Sequence, residues 1–465
     1  MRRPTPRWGV SLLSLALVLV TACGGQRSPA ISSAAQPRPC TTSTSTLAPA
    51  NDDWTTYHRS GDRDGVDVGS PPAGRLVQRW QVALDGAVYA QPLVYRGLVV
   101  SATEHNTVYA LEAATGCLVW KKSLGPSFDA SRLQCGNIPE LGVTSTPVID
   151  PSNGTLFVVS YQPPGRFQMV ALNVANGAIR WRYPIDLPGS DPLYQLNRPA
   201  LALDAGRVDV AFGGRAGDCG NYHGFVVGVP ESGSGPQVLF QASPQRGGAI
   251  WAPSGPVVLP NGDLLVTTSN TDERSSFDGS DAVVRLSPSL QRLDLFAPSN
   301  WVQLNDLDLD LGSVNPTLVG DDRVFQVGKE GIGYLLDLNH LGGVGGQLFS
   351  ASLGGCYAIG ATAYRAPYVY VPCDHGVKAV EIQGSSFRVA WQGPNFRAGS
   401  PIVAGGLVWD IDFDGGRLWA LNAKTGAVEH QVKIGTAEHF VAPSASAGRL
   451  YLPVGSRLMA FSFAS

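Results

Sequence analysis

Three carboxylates, those of Asp306, Asp308 and Asp310, have a spacing that could bind a metal ion. In an extended segment, side chains two residues apart project to the same side, so these three could offer oxygen ligands to Ca²⁺. A half-buried strand with one wet face shows the same alternation of acidic and apolar residues. The glycine turn and terminal glutamate of an EF-hand loop are absent, and both interpretations stay open.

Acid–base and nucleophilic motifs are sparse in this sequence. None of the seven histidines stands at metal-ligand spacing from another, and there is no Gly-x-Ser-x-Gly elbow and no His-Glu-x-x-His motif. Glu104 and His105 adjoin in a predicted turn, where a polar turn residue is the simpler role for the histidine. The sequence therefore assigns no catalytic residue.

The elements that position these residues are copies of one repeat. Its clearest copy, Ala110–Trp120, returns as Ala171–Trp181 and as Ala420–His430. Each copy has an apolar run, a Thr-Gly or Asn-Gly turn and a second run, which is typical of two strands joined by a tight hairpin. Because one such unit cannot bury its own faces, the copies must stack on one another.

The number of repeats can be counted from two recurring residues, a proline and an aromatic residue. Seven units begin a short apolar strand with a proline, a position where proline costs no ladder hydrogen bond, and one unit near Thr362 lacks it. These prolines are Pro92, Pro147, Pro199, Pro256, Pro316, Pro401 and Pro443. The aromatic residues that follow the hairpins are Trp120, Trp181, Phe240, Phe296, Phe349 and Trp391, with His430 in the seventh place.

The eighth unit, Ala442–Ser465, ends before its last strand, and Arg75–Trp80 offers that strand with its aromatic residue. A ring explains the borrowed strand, whereas a two-sheet sandwich or a β-helix does not. The sequence therefore predicts an all-β fold: an eight-bladed β-propeller of four-stranded antiparallel blades. The ring is closed by an N-terminal strand that joins the last blade.

The repeat is of the type Ala-Leu-Asn-Ala-Lys-Thr-Gly-x-x-x-Trp, with Ala420–Gly426 as its first seven residues. This type resembles the PQQ-like (pyrroloquinoline quinone) repeat of quinoprotein dehydrogenases and their non-enzymatic relatives. Asp53–His58, Cys135–Asp150 and Asn305–Ser313 are similar to stretches of secreted bacterial propellers of the PQQ-binding-like type. The resemblance covers residue 52 to the C-terminus and implies the propeller fold. For an enzymatic member it also implies PQQ and Ca²⁺ as cofactors, although one fold hosts unrelated functions.

The resemblance also sets requirements that this sequence does not meet. Enzymes of the methanol type hold Ca²⁺ with a carboxylate and an amide, use an Asp as general base, and sandwich the quinone between a Trp and a disulfide of adjacent cysteines. The sequence has no Cys-Cys pair and no Cys-x-x-Cys-His haem motif. These departures favour a binding module over a dehydrogenase.

Propeller topology predicts one functional face, here named the long-loop face. If every first strand starts there, the longest irregular segments share that face: 126–143, 187–196, 213–224, 270–280 and 298–311. The residues just before the first strands should ring the central channel: Gln91, Thr146, Arg198, Trp251, Asn315, Thr362 and Ser400. An arginine, an indole and several amides would suit a planar polyanion such as PQQ, and a polar, water-filled axis is the alternative.

Six cysteines remain once Cys23 is set aside, and an even number in an exported chain predicts up to three disulfides. The expected pairs are Cys356–Cys373 within one blade, Cys135–Cys219 between two long loops, and Cys40–Cys117 between the N-terminal tether and a hairpin on the opposite face.

The N-terminus is predicted to be an export signal, residues 1–22, because a basic start precedes an apolar run too short to span a bilayer. Val20–Cys23 resembles a bacterial lipobox, which makes Cys23 a lipidation site, and ordinary signal cleavage is the alternative. Residues 23–50 have few large apolar side chains and predict a disordered tether, which leaves 51–465 for a single propeller.

A net charge of −3 without a basic run argues against nucleic acid as a partner. We therefore expect an exported monomer that is lipid-anchored to the outer face of the bacterial cell membrane. It would bind a protein, peptide or glycan through the long-loop face. The alternative is a PQQ-dependent dehydrogenase of an alcohol or a sugar.

Overall fold

The computed structural model describes residues 34–41, 52–204 and 206–463. The predicted signal segment and Cys23 lie outside the described residues. Within the described residues, no helix combines the length and apolarity that crossing a membrane requires.

Eight antiparallel sheets follow one another along the chain and confirm the eight-bladed β-propeller. Each blade is given from its innermost to its outermost strand. Blade 1 consists of Leu93–Tyr95, Leu98–Ala102, Thr107–Glu112 and Leu118–Ser123, and blade 2 of Val148–Asp150, Thr155–Gln162, Arg166–Asn173 and Ile179–Ile185. Blade 3 consists of Ala202–Asp204, Arg207–Gly214, Phe225–Pro230 and Val238–Gln241, and blade 4 of Val257–Val258, Leu264–Thr267, Val283–Leu286 and Arg292–Ala297.

Blade 5 consists of Thr317–Val319, Arg323–Val327, Ile332–Asp337 and Phe349–Ser352, and blade 6 of Ala363–Arg365, Tyr368–Cys373, Gly376–Gln383 and Ser386–Gln392. Blade 7 consists of Ile402–Ala404, Leu407–Asp412, Arg417–Asn422 and Val428–Lys433, and blade 8 of Ser444–Ser446, Arg449–Val454, Arg457–Ser462 and Val77–Ala83. Short additional elements are the strands Val66–Asp67, Phe128–Asp129, Glu140–Leu141, Gln195–Leu196 and Gly343–Val344, the α-helix Trp301–Leu307 and the 3₁₀ helix Leu311–Ser313.

The predicted ring closure is confirmed. Val77–Ala83 pairs antiparallel with Arg457–Ser462, and Trp80 lies opposite Ala460. The N-terminal strand is therefore the outermost strand of blade 8, and the two ends of the chain share one sheet.

Contacts between neighbouring blades explain the repeat. The Trp120 indole donates a hydrogen bond to the carbonyl oxygen of Val174, in the hairpin of the next blade, at 2.9 Å. That hairpin turns at Gly177 with φ +70°, and a Cβ there would lie 2.5 Å from the Trp120 ring. Only glycine combines this backbone angle with so close an approach. Trp80 with Gly116 and Trp391 with Gly426 repeat the arrangement, each with 2.6 Å from the ring to the Cβ position.

His430 stands where the repeat has an aromatic residue, and the same contact explains the exception. The blade that follows, blade 8, takes its outer strand from the N-terminus and so has no hairpin for an indole to cover. His430 instead stacks on Trp409 of its own blade, with ring centroids 6.0 Å apart and an angle of 6° between the planes.

The channel is closed by residues 52–67, here named the axial strap. The strap forms backbone hydrogen bonds of 2.8–2.9 Å with the first strands of blades 1, 2, 4, 6 and 7, through Val94, Ile149, Val258, Tyr364 and Val403. Those strands would otherwise present unpaired backbone groups to the axis. The Tyr57 side chain packs against Ala200, Ala361 and Ala442, which precede the first strands of three different blades.

The described part of the predicted tether, residues 34–41, is not disordered. The carbonyl oxygen of Ala35 accepts a hydrogen bond from Ala83 of blade 8, and Cys40 donates one to Leu118 of blade 1. These residues therefore cross the outer edge where the ring closes. The expectation of disorder rested on composition alone, which does not register backbone pairing or a covalent link.

The three expected disulfides are present, Cys40–Cys117, Cys135–Cys219 and Cys356–Cys373. The first fixes the tether to blade 1, the second joins the loop before blade 2 to a loop of blade 3, and the third holds the loop that enters blade 6.

Arg63 provides a direct test of the strap. Its guanidinium is buried and donates hydrogen bonds to the carbonyl oxygens of Pro256, Leu201 and Tyr57 at 3.0–3.2 Å. Replacing Arg63 by Ala leaves these acceptors unpaired, so we expect the free energy of unfolding to fall by about 3 kcal/mol or more in urea titrations. Arg166→Ala, on an exposed hairpin, is the control and should change it by less than about 0.5 kcal/mol. Equal effects of the two variants would contradict a strap that stabilises the ring.

Candidate functional site

A pocket of about 270 Å³ opens on the long-loop face. Its walls include residues that directly precede the first strands of blades 3, 4, 5, 6 and 8, which places it at the axis: Arg198, Trp251, Ser313, Ile359 and Phe440. In extended segments, residues two positions further on lie one layer deeper. Ala200, Ala361 and Ala442 occupy that layer and contact Tyr57, so the axial strap closes the pocket from below.

Arg198 is the more deeply buried of two cations that line this pocket, the other being Lys329. Its side chain is 5% exposed, and its Nη2 atom donates to the carbonyl oxygens of His439 and Phe440 at 3.2 and 3.4 Å. The Nε and Nη1 atoms have no hydrogen-bond partner within the described residues. The guanidinium lies 5.8 Å from the centre of the Tyr89 ring, a cation–π distance. Burial lowers the pKa of Arg198, but the guanidinium still carries its charge at neutral pH.

Glu104 is a buried acid that interacts electrostatically with Arg198. One of its oxygens accepts hydrogen bonds from the Gly142 amide at 2.8 Å and the Thr144 hydroxyl at 3.1 Å, while the other has no partner within the described residues. Burial raises the pKa of Glu104 to about 8, and these hydrogen bonds and the charge of Arg198 only partly oppose it. At neutral pH the carboxyl is therefore mainly protonated and does not act as a full counter-ion of Arg198.

His105 is not a catalytic partner of Glu104. Its ring is exposed and its Nδ1 atom lies 2.7 Å from Glu140 of a neighbouring loop. The hydrogen bond with Glu140 raises the pKa of His105.

The acidic run at Asp306, Asp308 and Asp310 does not form the extended segment that the sequence suggested. Asp306 lies in the helix Trp301–Leu307, and Asp308 ends that helix with φ 54°. The three carboxylates consequently do not share one side. Asp306 pairs with Arg274, while the Nζ atom of Lys329 lies 2.9 Å from Asp308 and 2.5 Å from Asp310.

The ammonium group of Lys329 occupies the position between Asp308 and Asp310 where a metal ion bound by these two carboxylates would lie. No cluster of three or more His, Cys, Asp or Glu side chains suited to a metal occurs in the described part of the chain. Two carboxylates that share an ion pair with one ammonium group, which occupies the space between them, do not fit a Ca²⁺ site. Sequence reasoning missed Lys329, because nothing near it in the sequence marks it as a partner of the acidic run.

Of the seven residues expected to ring the channel, Arg198 and Trp251 line the pocket. The other five are buried below it. Gln91 receives hydrogen bonds from Trp54 and His58 of the strap, and Asn315 receives one from the Thr362 amide at 3.1 Å. The remaining two act likewise: the Thr146 hydroxyl accepts from the Gln91 amide at 2.8 Å, and the Ser400 hydroxyl accepts from the Ala361 amide at 3.0 Å.

The rim of the pocket is held by a disulfide. Asn137 and Ile138, in the loop of Cys135, face the pocket, as does Gly217, two residues before Cys219. A Cβ on Gly217 would lie 3.2 Å from the Cys135 sulfur, so the disulfide packs directly behind the pocket wall.

Comparisons with known proteins agree with this fold. The family model described as outer membrane protein assembly factor BamB matches residues 70–272. No curated protein matches the chain. Among solved structures, a europium-containing methanol dehydrogenase is 15% identical, with a TM-score of 0.70 over 90% of this chain and 99% of that chain.

Two further structures extend the comparison. The quinohemoprotein alcohol dehydrogenase from Comamonas testosteroni is 14% identical, with a TM-score of 0.70 over 90% of this chain and 81% of that chain. BamB from Moraxella catarrhalis is 16% identical, with a TM-score of 0.57 over 84% of this chain and 98% of that chain. The resemblance drawn from the repeats is confirmed at the level of the fold, which is that of PQQ-like β-propellers. At these identities the structures establish the fold and leave the activity open.

The protonation of Glu104 makes the stability of the fold depend on pH. Because its pKa rises from 4.5 to about 8 on folding, the folded protein binds more protons than the unfolded chain between those values. The contribution of protonated Glu104 to the free energy of unfolding is fully present below pH 4.5 and is lost as the pH rises towards 8. Glu104→Gln removes it, so from pH 5 to pH 8 the variant should gain about 2–4 kcal/mol of stability relative to the unmodified protein. Urea unfolding at both pH values measures the difference, and a pH-independent effect would show that Glu104 is ionised.

Proposed function

We propose that the chain is an extracytoplasmic binding module whose axial pocket holds a carboxylate group of a protein, peptide or glycan ligand. The observation that carries the proposal is Arg198, a buried guanidinium that lines the pocket with two nitrogen atoms unpartnered within the described residues.

The energetics favour an anion at this position. A buried charged donor without a partner is costly, whereas hydrogen bonds from arginine to a carboxylate are short and strong. Glu104 is mainly protonated at neutral pH, so it does not compete with the ligand for the charge of Arg198. The half-buried Trp251 in the same pocket offers an apolar surface on which a planar or sugar ring can pack.

A dehydrogenase would need further groups in this pocket. Arg198 and Trp251 fit a planar anion such as PQQ, and this observation keeps a quinoprotein dehydrogenase of an alcohol or sugar as the second candidate. The carboxylates of Asp308 and Asp310, however, are paired with Lys329 and do not fit as ligands of Ca²⁺. The donor set therefore supports binding of an anion more than it supports catalysis assisted by a metal ion.

An extracytoplasmic location is supported by the three disulfides, since such bonds persist in oxidising compartments. We propose that the module is a monomer anchored by lipidated Cys23 to the outer face of the bacterial cell membrane. Mass spectrometry of the protein extracted from membranes tests the anchor, because diacylglyceryl addition shifts the mass of the N-terminal peptide.

Replacing Arg198 by Met tests the pocket. Titration calorimetry with acidic peptides, uronate-containing oligosaccharides and PQQ, the last with and without Ca²⁺, should find a peptide or glycan carboxylate that binds. Arg198→Met should weaken that binding about 10- to 100-fold, because it removes charge-assisted hydrogen bonds. Arg292→Met, on an exposed outer strand, is the matched control and should leave the affinity unchanged. Stoichiometric uptake of PQQ with reduction of a dye by alcohols would support the dehydrogenase instead.

The disulfide at the rim should affect the same affinity. Cys135→Ser/Cys219→Ser frees two loops that face the pocket, so ligand binding must then order them, and we expect the affinity to fall several-fold. Cys40→Ser/Cys117→Ser removes a disulfide from the opposite face and serves as the control for general loss of stability. The same titration, with the thermal midpoint of each variant, separates the two effects. Equal affinity losses would show that the rim disulfide acts only through stability.

A further inference from the structure

We propose that the outer edge of blades 8, 1 and 2 is a membrane-facing surface that binds anionic lipid headgroups beside the point where the N-terminal segment joins the ring. This surface is separate from the axial pocket and does not depend on the ligand proposed for that pocket, but it rests on the proposed lipid anchor at Cys23.

The charges on the outer strands are distributed unevenly. The outer strands of blades 8, 1 and 2 carry five basic residues and no acidic ones: Arg79, Lys121, Lys122, Arg180 and Arg182. The outer strands of the other five blades carry three basic and two acidic residues: Arg292, Arg388, Lys433, Asp294 and Glu429. The five residues of the first group are here named the basic edge. In a protein with a net charge of −3, this edge is a local concentration of positive charge.

The charges of the basic edge are not neutralised by the protein. None of its residues forms an ion pair within the described part of the chain, whereas Arg388 of blade 6 pairs with Glu381 at 2.5 Å. The residues outside the described ranges contain no Asp or Glu that could provide a partner. Arg180 and Arg182 are held by neutral acceptors, such as the carbonyl oxygens of Asn153 and Leu124, and keep their full charge.

The N-terminal segment joins the ring at this same edge. Residues 34–41 pair with Ala83 of blade 8 and with Leu118 of blade 1, and the Cys40–Cys117 disulfide fixes them there. Leu118 begins the strand that carries Lys121 and Lys122. The residues that precede this segment include Cys23, whose proposed lipidation suits a membrane and not a nucleic acid.

A lipid anchor and a basic surface reinforce each other. A single lipid chain binds a membrane only marginally, and a second, electrostatic contact makes the attachment stable. Each Lys or Arg within reach of an anionic leaflet improves partitioning by about fivefold, an effect that salt screens beyond about 8 Å at physiological ionic strength. Because the attachment point and the basic edge coincide, the edge would lie against the membrane.

The test is co-sedimentation of the full chain with vesicles of phosphatidylcholine alone and with about 30% phosphatidylglycerol added, a proportion that makes the surface anionic. Lys121→Gln/Lys122→Gln is compared with Lys424→Gln/Lys433→Gln, which removes two charges from blade 7 that form no ion pair within the described residues. The unmodified protein should prefer the anionic vesicles, and about 0.5 M salt, roughly three times physiological ionic strength, should remove that preference.

The basic-edge variant should lose at least about tenfold in binding to the anionic vesicles, and the blade 7 variant should match the unmodified protein. Three results would overturn the proposal: equal binding to both kinds of vesicle, equal losses in the two variants, or tighter binding of a random-sequence oligonucleotide than of the anionic vesicles.

Discussion

The innermost strand of every blade leaves one row of backbone groups facing the axis, and pairing those groups is the constraint on which this structure depends. The axial strap provides the partners, through hydrogen bonds to the first strands of blades around the ring. Because the strap fills the channel at this level, the propeller has a closed floor of which Tyr57 forms the upper layer. A through-channel thus becomes a pocket that opens on one face, with Arg198 in its wall.

One segment near the N-terminus therefore has three structural tasks. Residues 34–41 fasten the chain to the outer edge, residues 52–67 fill the axis, and Val77–Ala83 completes the last blade. The contact between an indole and the glycine of the next hairpin joins blade 8 to blade 1, blade 1 to blade 2 and blade 6 to blade 7. Before blade 8 the chain brings a strand in place of a hairpin, and His430 replaces the aromatic residue at that position.

The repeats could be predicted because each is a short local sequence pattern. The ring closure and the cysteine pairs could be predicted because they follow from the order of the blades along the chain. The strap could not, since its hydrogen bonds join residues far apart in sequence and carry no periodic signal. The spacing of the repeats placed Gln91 and Asn315 on the axis but could not give their position along it. Because both lie buried away from the pocket, their hydrogen bonds are to groups of the protein. The acidic run was misjudged because the helix 301–307 and the pairing with Lys329 are both set by tertiary contacts.

Native-state hydrogen exchange, followed by mass spectrometry, tests most directly the claim that the N-terminal segment closes the ring and its axis. If the claim is right, the amides of the strap and of Val77–Ala83 exchange as slowly as those of Arg457–Ser462, because all open only when the ring opens. Rapid exchange in residues 52–67 and 77–83, beside slow exchange in Arg457–Ser462, would contradict it and remove the floor from the pocket.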